Sequence, residues 1–472
     1  MKQLKVILIE VANQSFFSKI QSPIARTGLP GLAAILKDKD YQVKVFAEQF
    51  GKIDLKEVSK ADFLGISTLT SNFNRGLKIA EIAKKKNPNL FIAMGGPHVS
   101  VLSEAEYALK TGWVDYVVHH DGEPVILPLV EAVENRSGFE KIRNLSWRAQ
   151  DGEIIHNPIG PTLYDLNRYP IHDLESIQGF EKKMKVKFGL KPPISIEASR
   201  GCPHNCDFCC VWTHFGRKCR HREPEMVVDY IGYLLKKGYR NGFFFVDDNF
   251  AIDPRETVSL LECLLKLTPL PDWAAQIEIG TDPRLFPLMK RAGGGRMFIG
   301  AESLSNDVLE EHHKRQNTAE KIRKCVEDLK KAGLRVHLMG IAGADHDTPD
   351  TIRTFFDFCI AEEVNTAWMS FLTPYQGTPL YQRLESENRI YDRNWDHYDA
   401  FWPVFRLRHF SPQKLTSEVR KNSARFYTFW RLFKSRFLKK WRKDFRGQLV
   451  GWLACKYFAW KYFEIFCRKN TA

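Results

Sequence analysis

Short apolar runs alternate with helix-period patterns twice along this chain, and that alternation restricts the fold more than any other feature. In the first series the spacing predicts strands at Lys5–Ile9, Gln42–Phe46, Phe63–Ser67, Phe91–Gly95 and Tyr116–Val118, with helices at Gly31–Lys37, Asn74–Lys86 and Pro124–Val133. Short strands separated by helices are the signature of a parallel α/β unit. An open doubly wound sheet of this kind binds ligands outside the carboxyl ends of its strands. Pro158, Pro161, Pro170, Pro192 and Pro193 then punctuate a linker with a few short strands.

The second series places strands at Ser195–Ala198, Phe243–Val246, Ala274–Ile279, Met297–Ala301, Val336–Gly340 and Trp368–Leu372. Repeats in that number suit an open or partial barrel rather than a closed eightfold one. Thr348-Pro349-Asp350 reads as a helix start: a hydroxyl cap, a proline at the first helical position and an acid in the first turn. The expected division is 1–142, a linker at 143–192, a barrel at 193–395 and a helical region at 396–472. No internal repeat is visible.

The ten cysteines define the chemistry. None precedes Cys202, and three then fall within eight residues, which argues against a disulfide framework. Such clustering suggests thiols kept reduced for a metal in a cytoplasm-like compartment. The N-terminal MKQLKVILIEV runs straight into a strand with no cleavable signal pattern. At 44% hydrophobic and 27% charged residues the chain is neither a disordered nor a multi-span membrane sequence.

Arg200-Gly201-Cys202-Pro203-His204-Asn205-Cys206-Asp207-Phe208-Cys209 is a C-x3-C-x2-C on the loop leaving a strand. Three close thiolates can hold three irons of a [4Fe–4S] cluster and leave the fourth open for chemistry. Zinc sites instead close with four ligands in paired spacings, and no second pair exists here. Cys210 stands beside Cys209 as a bystander, and Cys219, Cys263, Cys325, Cys359, Cys455 and Cys467 are scattered singles.

This loop resembles that of the radical S-adenosylmethionine (SAM) superfamily. The resemblance implies that Cys202, Cys206 and Cys209 bind the cluster, with the open iron chelating SAM. By the same resemblance Phe208 packs near the adenine, and Asp247 and Asp248 lie at the segment contacting the methionyl amine. Glu302 and Ser303 match the ribose segment, while Gly340 and Thr373 border the methionine and adenine. The implied chemistry is reductive SAM cleavage to a 5′-deoxyadenosyl radical, fed by a one-electron reductant of the flavodoxin or ferredoxin type.

The first series carries Gly65-Ile66-Ser67-Thr68 after its third strand, Met94-Gly95-Gly96-Pro97-His98 after the fourth and Asp121-Gly122-Glu123-Pro124 after the fifth. Small and hydroxyl residues at strand exits let a large ligand approach the backbone. These segments resemble the cobalamin-binding domain attached to many radical SAM enzymes. Ser67, Thr68, Gly95 and Gly96 would then line the channel for the cobalamin nucleotide tail. The D-x-H-x-x-G motif that supplies a lower histidine ligand elsewhere is absent, and His98 after Pro97 is a poor substitute. The fold class so implied is α/β: a Rossmann-like (flavodoxin-like) cobalamin domain, a partial (β/α)6 radical SAM barrel and a helical C-terminal segment.

With cobalamin, the resemblance implies methylation of an unreactive carbon on a hydrophobic small molecule or lipid. Cyclisation or oxidation, for example of a tetrapyrrole, is the alternative, with RNA or peptide further behind. A methylthiotransferase is disfavoured, since its first domain supplies cysteines that this chain lacks.

Charge is concentrated at one end. Of the formal +14, residues 413–472 hold 16 Lys+Arg against 3 Asp+Glu, a net +13, and 15 of the 59 aromatic residues. Phe426, Trp430, Phe433, Phe437 and Trp441 recur at helical spacing among basic residues. Three readings stand: a stripe packed on the barrel, an interfacial helix on anionic membrane, or a nucleic-acid footprint without a recognised module. Leu449–Phe466 is too interrupted by charge to span a bilayer. The expected location is cytoplasmic, with peripheral membrane contact through 413–472 under the second reading.

Overall fold

A computed structural model describes residues 3–13, 24–149, 151–161, 163–185, 192–314 and 317–437, with 445, 448–453 and 455. Strands β1 (Lys5–Glu10), β2 (Gln42–Ala47), β3 (Phe63–Ser67), β4 (Phe91–Gly95) and β5 (Tyr116–Val118) pair in the order β2-β1-β3-β4-β5, all parallel. Strand β1 shows why it lies inside. Val6 and Leu8 pack with Ala33 and Leu36 on one face, while Ile7 and Ile9 pack with Ile79 and Ala80 on the other. A strand buried on both faces belongs in a parallel sheet covered by helices. The strand order changes direction between β1 and β3, the switch point at which such sheets bind ligands.

Two further strands, β6 (Leu145–Arg148) and β7 (Ile154–His156), continue this sheet antiparallel beyond β5. The proline-punctuated segment therefore begins as part of the first sheet. Ser146 fixes the hairpin, its hydroxyl meeting His119 Nε2 and His156 Nδ1 at 2.7 Å each.

The second sheet comprises β8 (Ile194–Ile196), then β11 (Phe243–Phe245), β12 (Trp273–Ile277), β13 (Gly294–Glu302), β14 (Arg335–Ala342) and β15 (Thr366–Phe371). Successive strands are parallel neighbours, and β8 and β15 remain at the edges, so the barrel is open, as the six repeats implied. A short antiparallel ladder of β9 (Ser199–Arg200) and β10 (Arg220–His221) brackets the cysteine loop. Val336 and Leu338 of β14 face a helical layer that includes Ile322 and Phe355. Burying each such side chain contributes about 1.5–3 kcal/mol. Thr348 caps helix Pro349–Ala361 in a capping box, as its sequence requires.

At the C-terminal end, helix Pro412–Phe426 packs against the barrel. The Tyr427 hydroxyl donates to Ala367 O at 2.6 Å, and Arg425 pairs with Asp357 at 2.6 Å. Helix Phe429–Phe437 then turns aromatic groups outward, with Phe429 68% and Trp430 61% exposed. The stripe is thus split, because Phe426 is buried whereas Trp430 and Phe433 are not. Trp441 and residues 456–466 lie outside the described residues. Among the described residues no helix is long and apolar enough to cross a membrane.

Candidate active site

The cysteine loop is held at both ends. Gly201 enters it at φ +93°, where a Cβ would lie 2.7 Å from Lys218 O, so only glycine fits. Its N–H donates to Asp248 Oδ2 at 2.9 Å. Cys209 caps helix Cys210–Phe215, and its N–H donates to Cys206 O, which also accepts from Trp212 Nε1 at 3.0 Å. Cys206 is buried, and Cys202 and Cys209 are half-buried. Burial raises all three thiols, and a metal centre bound by them would favour their thiolate forms.

Among the described residues no group of three or more His, Cys, Asp or Glu surrounds a point where one metal ion would sit. A cluster makes a different demand, since its thiolates bind separate irons and need not converge. The donor set fits that demand: three thiols on one clamped loop.

Asp247 and Asp248 differ in role. Asp247 is buried and accepts from Ala198 N–H at 3.1 Å and the Ser199 hydroxyl at 2.6 Å, tying β11 to the start of the loop. Burial, opposed by those hydrogen bonds, lifts it to about 7. Asp248 holds Gly201 and faces an open cavity. Phe208 meets His312 edge-on, with centroids 5.1 Å apart, and His312 pairs with Asp207 at 3.1 Å. Glu302, at φ +60°, turns its carboxylate to Lys314 at 3.1 Å. A left-handed non-glycine residue is backbone strain of the kind found at functional sites. Burial opposes the Lys314 charge, but Glu302 and the thiols of Cys206 and Cys209 outweigh it.

Three other sequence candidates have local contacts of their own. A Cβ on Gly340 would meet the Phe355 ring at 2.9 Å, so the gap serves helix packing. The Thr373 hydroxyl donates to Phe371 O at 3.1 Å, while Ser303 Oγ accepts from Ser305 N–H.

A cavity of about 550 Å³ opens between the two sheets. The first domain lines it with the exits of β1, β3, β4 and β5, including Ser67, Gly95 and Gly96; the barrel side contributes Arg200, His214 and Asp248. Its size is that of a cofactor site. Gly96 sits at φ +111°, and a Cβ there would lie 2.1 Å from Thr68 O. The missing Cβ lets the β3 and β4 exits meet backbone to backbone, and with Ser67 and Gly95 this edge presents only small residues to the cavity, a cradle that fits a corrin's bulk. Thr68 itself does not reach the cavity; it is fully buried and its methyl fills the space above Gly76.

His98 is not in the cavity. It is buried against Phe73 and Trp395 and pairs with Glu104 at 3.0 Å. Several groups escaped sequence reasoning. His120 and His214 line the cavity, His120 Nδ1 lying 2.6 Å from His214 O, and burial lowers both imidazoles. Glu10, at the end of β1, is 2% exposed, and its Oε2 has no hydrogen-bond partner. Burial, against the charge of Arg26 3.6 Å away, pushes it up to about 7. Cys219, a lone cysteine in sequence, is brought behind Gly201 by the β9–β10 ladder. These groups come from distant positions without periodicity or motif, so only the fold assembles them.

Comparisons with known proteins agree with this geometry. The family model described as the radical SAM superfamily matches residues 196–359, and the B12 binding domain matches residues 17–128. The chain is 28% identical over 442 residues to an uncharacterized methyltransferase of Pyrococcus horikoshii, covering 90% of this chain and 93% of the relative. It is 27% identical over 437 residues to an anaerobic magnesium-protoporphyrin IX monomethyl ester cyclase of Rubrivivax gelatinosus, covering 89% and 77% respectively. The solved cobalamin-dependent SAM radical enzyme OxsB, with aqua-cobalamin and SAM bound, superposes with a TM-score of 0.72 at 14% identity, over 99% of this chain and 76% of that one. The domains bring with them a [4Fe–4S] cluster, SAM and cobalamin as cofactors. The chain carries a radical SAM domain at residues 196–359, preceded by a B12-binding domain at residues 17–128.

Proposed function

We propose that this enzyme is a cobalamin-dependent C-methyltransferase acting on a hydrophobic small molecule or lipid. One observation carries the reading: a single cavity has one wall from the B12-binding domain and the other from the cysteine-loop side of the barrel. When bound, the cluster held by the cysteine loop together with SAM would supply a 5′-deoxyadenosyl radical, and cobalamin in the cavity would supply the methyl group.

The chain's own residues do the rest. Cys202, Cys206 and Cys209 hold the cluster, and Phe208, Asp248, Glu302 and Ser303 are the candidates for orienting SAM. Gly95 and Gly96 give the corrin access to backbone, and Ser67 borders it. The D-x-H-x-x-G histidine is missing and His98 is sequestered, so neither supplies a lower cobalt ligand.

Helix Phe429–Phe437 supports membrane contact. Trp430 and Phe433 stack with centroids 5.6 Å apart, and Lys434 lies 5.7 Å over the Trp430 ring. Exposed aromatic and basic groups on one helix are the composition of interfacial helices. The similarity to a tetrapyrrole cyclase favours a second reading, ring formation without methyl transfer. Incubating the reconstituted enzyme with methyl-labelled SAM and extracted lipids or tetrapyrroles separates the two. Label in a carbon-bound methyl group supports methylation; an unlabelled product two hydrogens lighter supports cyclisation or oxidation.

A further inference from the structure

Between the two domains lies a buried charge network that the chemistry above does not use. Its centre is Arg200, two residues before Cys202 and 7% exposed. Arg200 Nη1 donates to Asp121 Oδ1 at 2.7 Å and to the Tyr164 hydroxyl at 3.2 Å. Nη2 reaches Glu123 Oε1 at 2.8 Å, while Nε and Nη2 fork onto Glu197 at 2.9 and 3.0 Å. Asp121 and Glu123 belong to the β5 exit of the B12-binding domain; Glu197 and Arg200 belong to the barrel. Arg220, on the strand paired with β9, takes the second oxygen of Asp121 at 2.8 Å. Arg222 approaches Glu197 at 3.8 Å.

Three arginines meet three carboxylates, so the network is formally neutral and has no charge left to attract a cofactor. Burial opposes ionisation of Glu123, yet the Arg200 charge and hydrogen bond hold it at about 2. A buried ion network is weak evidence for stability, because well-packed apolar residues do as well or better; its attested use is to fix one arrangement among several. A guanidinium is suited to that use, since its planar fork sets direction as well as distance.

Each end of the network reaches a cofactor site. Asp121, Glu123 and Arg200 all line the interdomain cavity. On the other side, Arg200 is joined through Gly201 to Cys202, and Gly201 is clamped by Asp248 and by the carbonyl of Lys218. One residue, Gly201, held by Asp248, separates Arg200 from the first cluster cysteine.

We propose that Arg200 is a positioning residue that sets the distance between the corrin and the iron–sulfur cluster by locking the β5 exit to the cysteine loop. This rests on the reading that both cofactors share the interdomain cavity. Arg200→Lys keeps the charge but cannot reach three carboxylates. The double variant Asp121→Asn/Glu123→Gln removes the charge of both interdomain arms while leaving the barrel's own Arg200–Glu197 fork.

The test is the EPR signal of the one-electron-reduced corrin in reconstituted enzyme, recorded with the cluster oxidised and then reduced. Dipolar coupling to the reduced cluster depends steeply on their separation. Wild type should show a defined cluster-dependent splitting, and both variants should lose its definition at unchanged iron and corrin content. Variants that load both cofactors and keep the wild-type splitting would overturn the proposal. Should Arg200→Lys fail to fold or load, Asp121→Asn/Glu123→Gln decides alone. A wild type that binds no corrin refutes the shared-cavity reading instead.

Discussion

Replacing Gly96 by alanine tests the cobalamin cradle at its tightest point. The added Cβ would lie 2.1 Å from Thr68 O, 3.1 Å from Thr68 C and 3.2 Å from Thr68 N. Contacts under 3.0 Å are essentially never tolerated, so the β3 and β4 exits would have to separate by about 0.9 Å. All three atoms are backbone, and no side chain can swing aside. Thr68 N–H also donates to Gly95 O at 2.9 Å, so separation stretches the bond joining the two exits. Alanine at φ +111° costs on the order of 1–3 kcal/mol, and the forced backbone shift a similar amount. The sum is roughly 2–6 kcal/mol, a large part of a domain's stability. Gly95→Ala is the control, because its Cβ would meet only ordinary contacts, with Val118 O nearest at 3.6 Å. Urea unfolding gives the stability loss, and absorbance titration with hydroxocobalamin gives the affinity. Gly96→Ala should lower both, while Gly95→Ala should leave the unfolding midpoint within about 1 kcal/mol of wild type. A Gly96→Ala protein with wild-type midpoint and affinity would refute the cradle as described.

Two further outcomes follow from the geometry. Glu10 sits at about 7 in the fold through burial, against an ordinary value of 4.5, so its favourable contribution is complete below the lower value and disappears as pH rises through the higher one. Glu10→Gln should therefore flatten the fall in stability between about pH 5 and pH 8, a loss of roughly 3 kcal/mol in wild type; an unchanged pH slope in urea titrations would exclude a buried acid there. Replacing Phe429, Trp430 and Phe433 together by serine removes side chains that are 68%, 61% and 40% exposed, so it should cost little stability but release the protein from sedimenting anionic liposomes. Undiminished sedimentation, or RNA binding at matched salt with no lipid binding, would count against the interfacial helix.

Much of the fold is readable from periodicity. Strands β3, β4 and β5 fall on the residues that their apolar runs mark, because strands buried on both faces have no polar alternation to blur their ends. The cysteine loop is equally legible, since its ligands are local in sequence. What was not legible is long-range. Arg200 meets Asp121 across 79 positions, and nothing in either segment announces the pairing. Gly340 shows a demand that sequence does not announce: a glycine at a strand end suggests a ligand's approach, and here the missing side chain also makes room for the Phe355 ring. Thr68 is similar, its hydroxyl suggesting a channel and its methyl in fact packing on Gly76. A small residue can make room for a neighbouring side chain or for a ligand, and sequence alone does not tell which it serves.

The central claim is that the clamped cysteine loop holds a cluster that cleaves SAM reductively. It is tested most directly by anaerobic reconstitution with iron and sulfide, followed by SAM and a strong one-electron reductant, with 5′-deoxyadenosine quantified by mass spectrometry. The account predicts release by the wild-type enzyme and background levels from Cys206→Ala. Background levels from a wild type that has taken up its iron, or equal release from the variant, would contradict it.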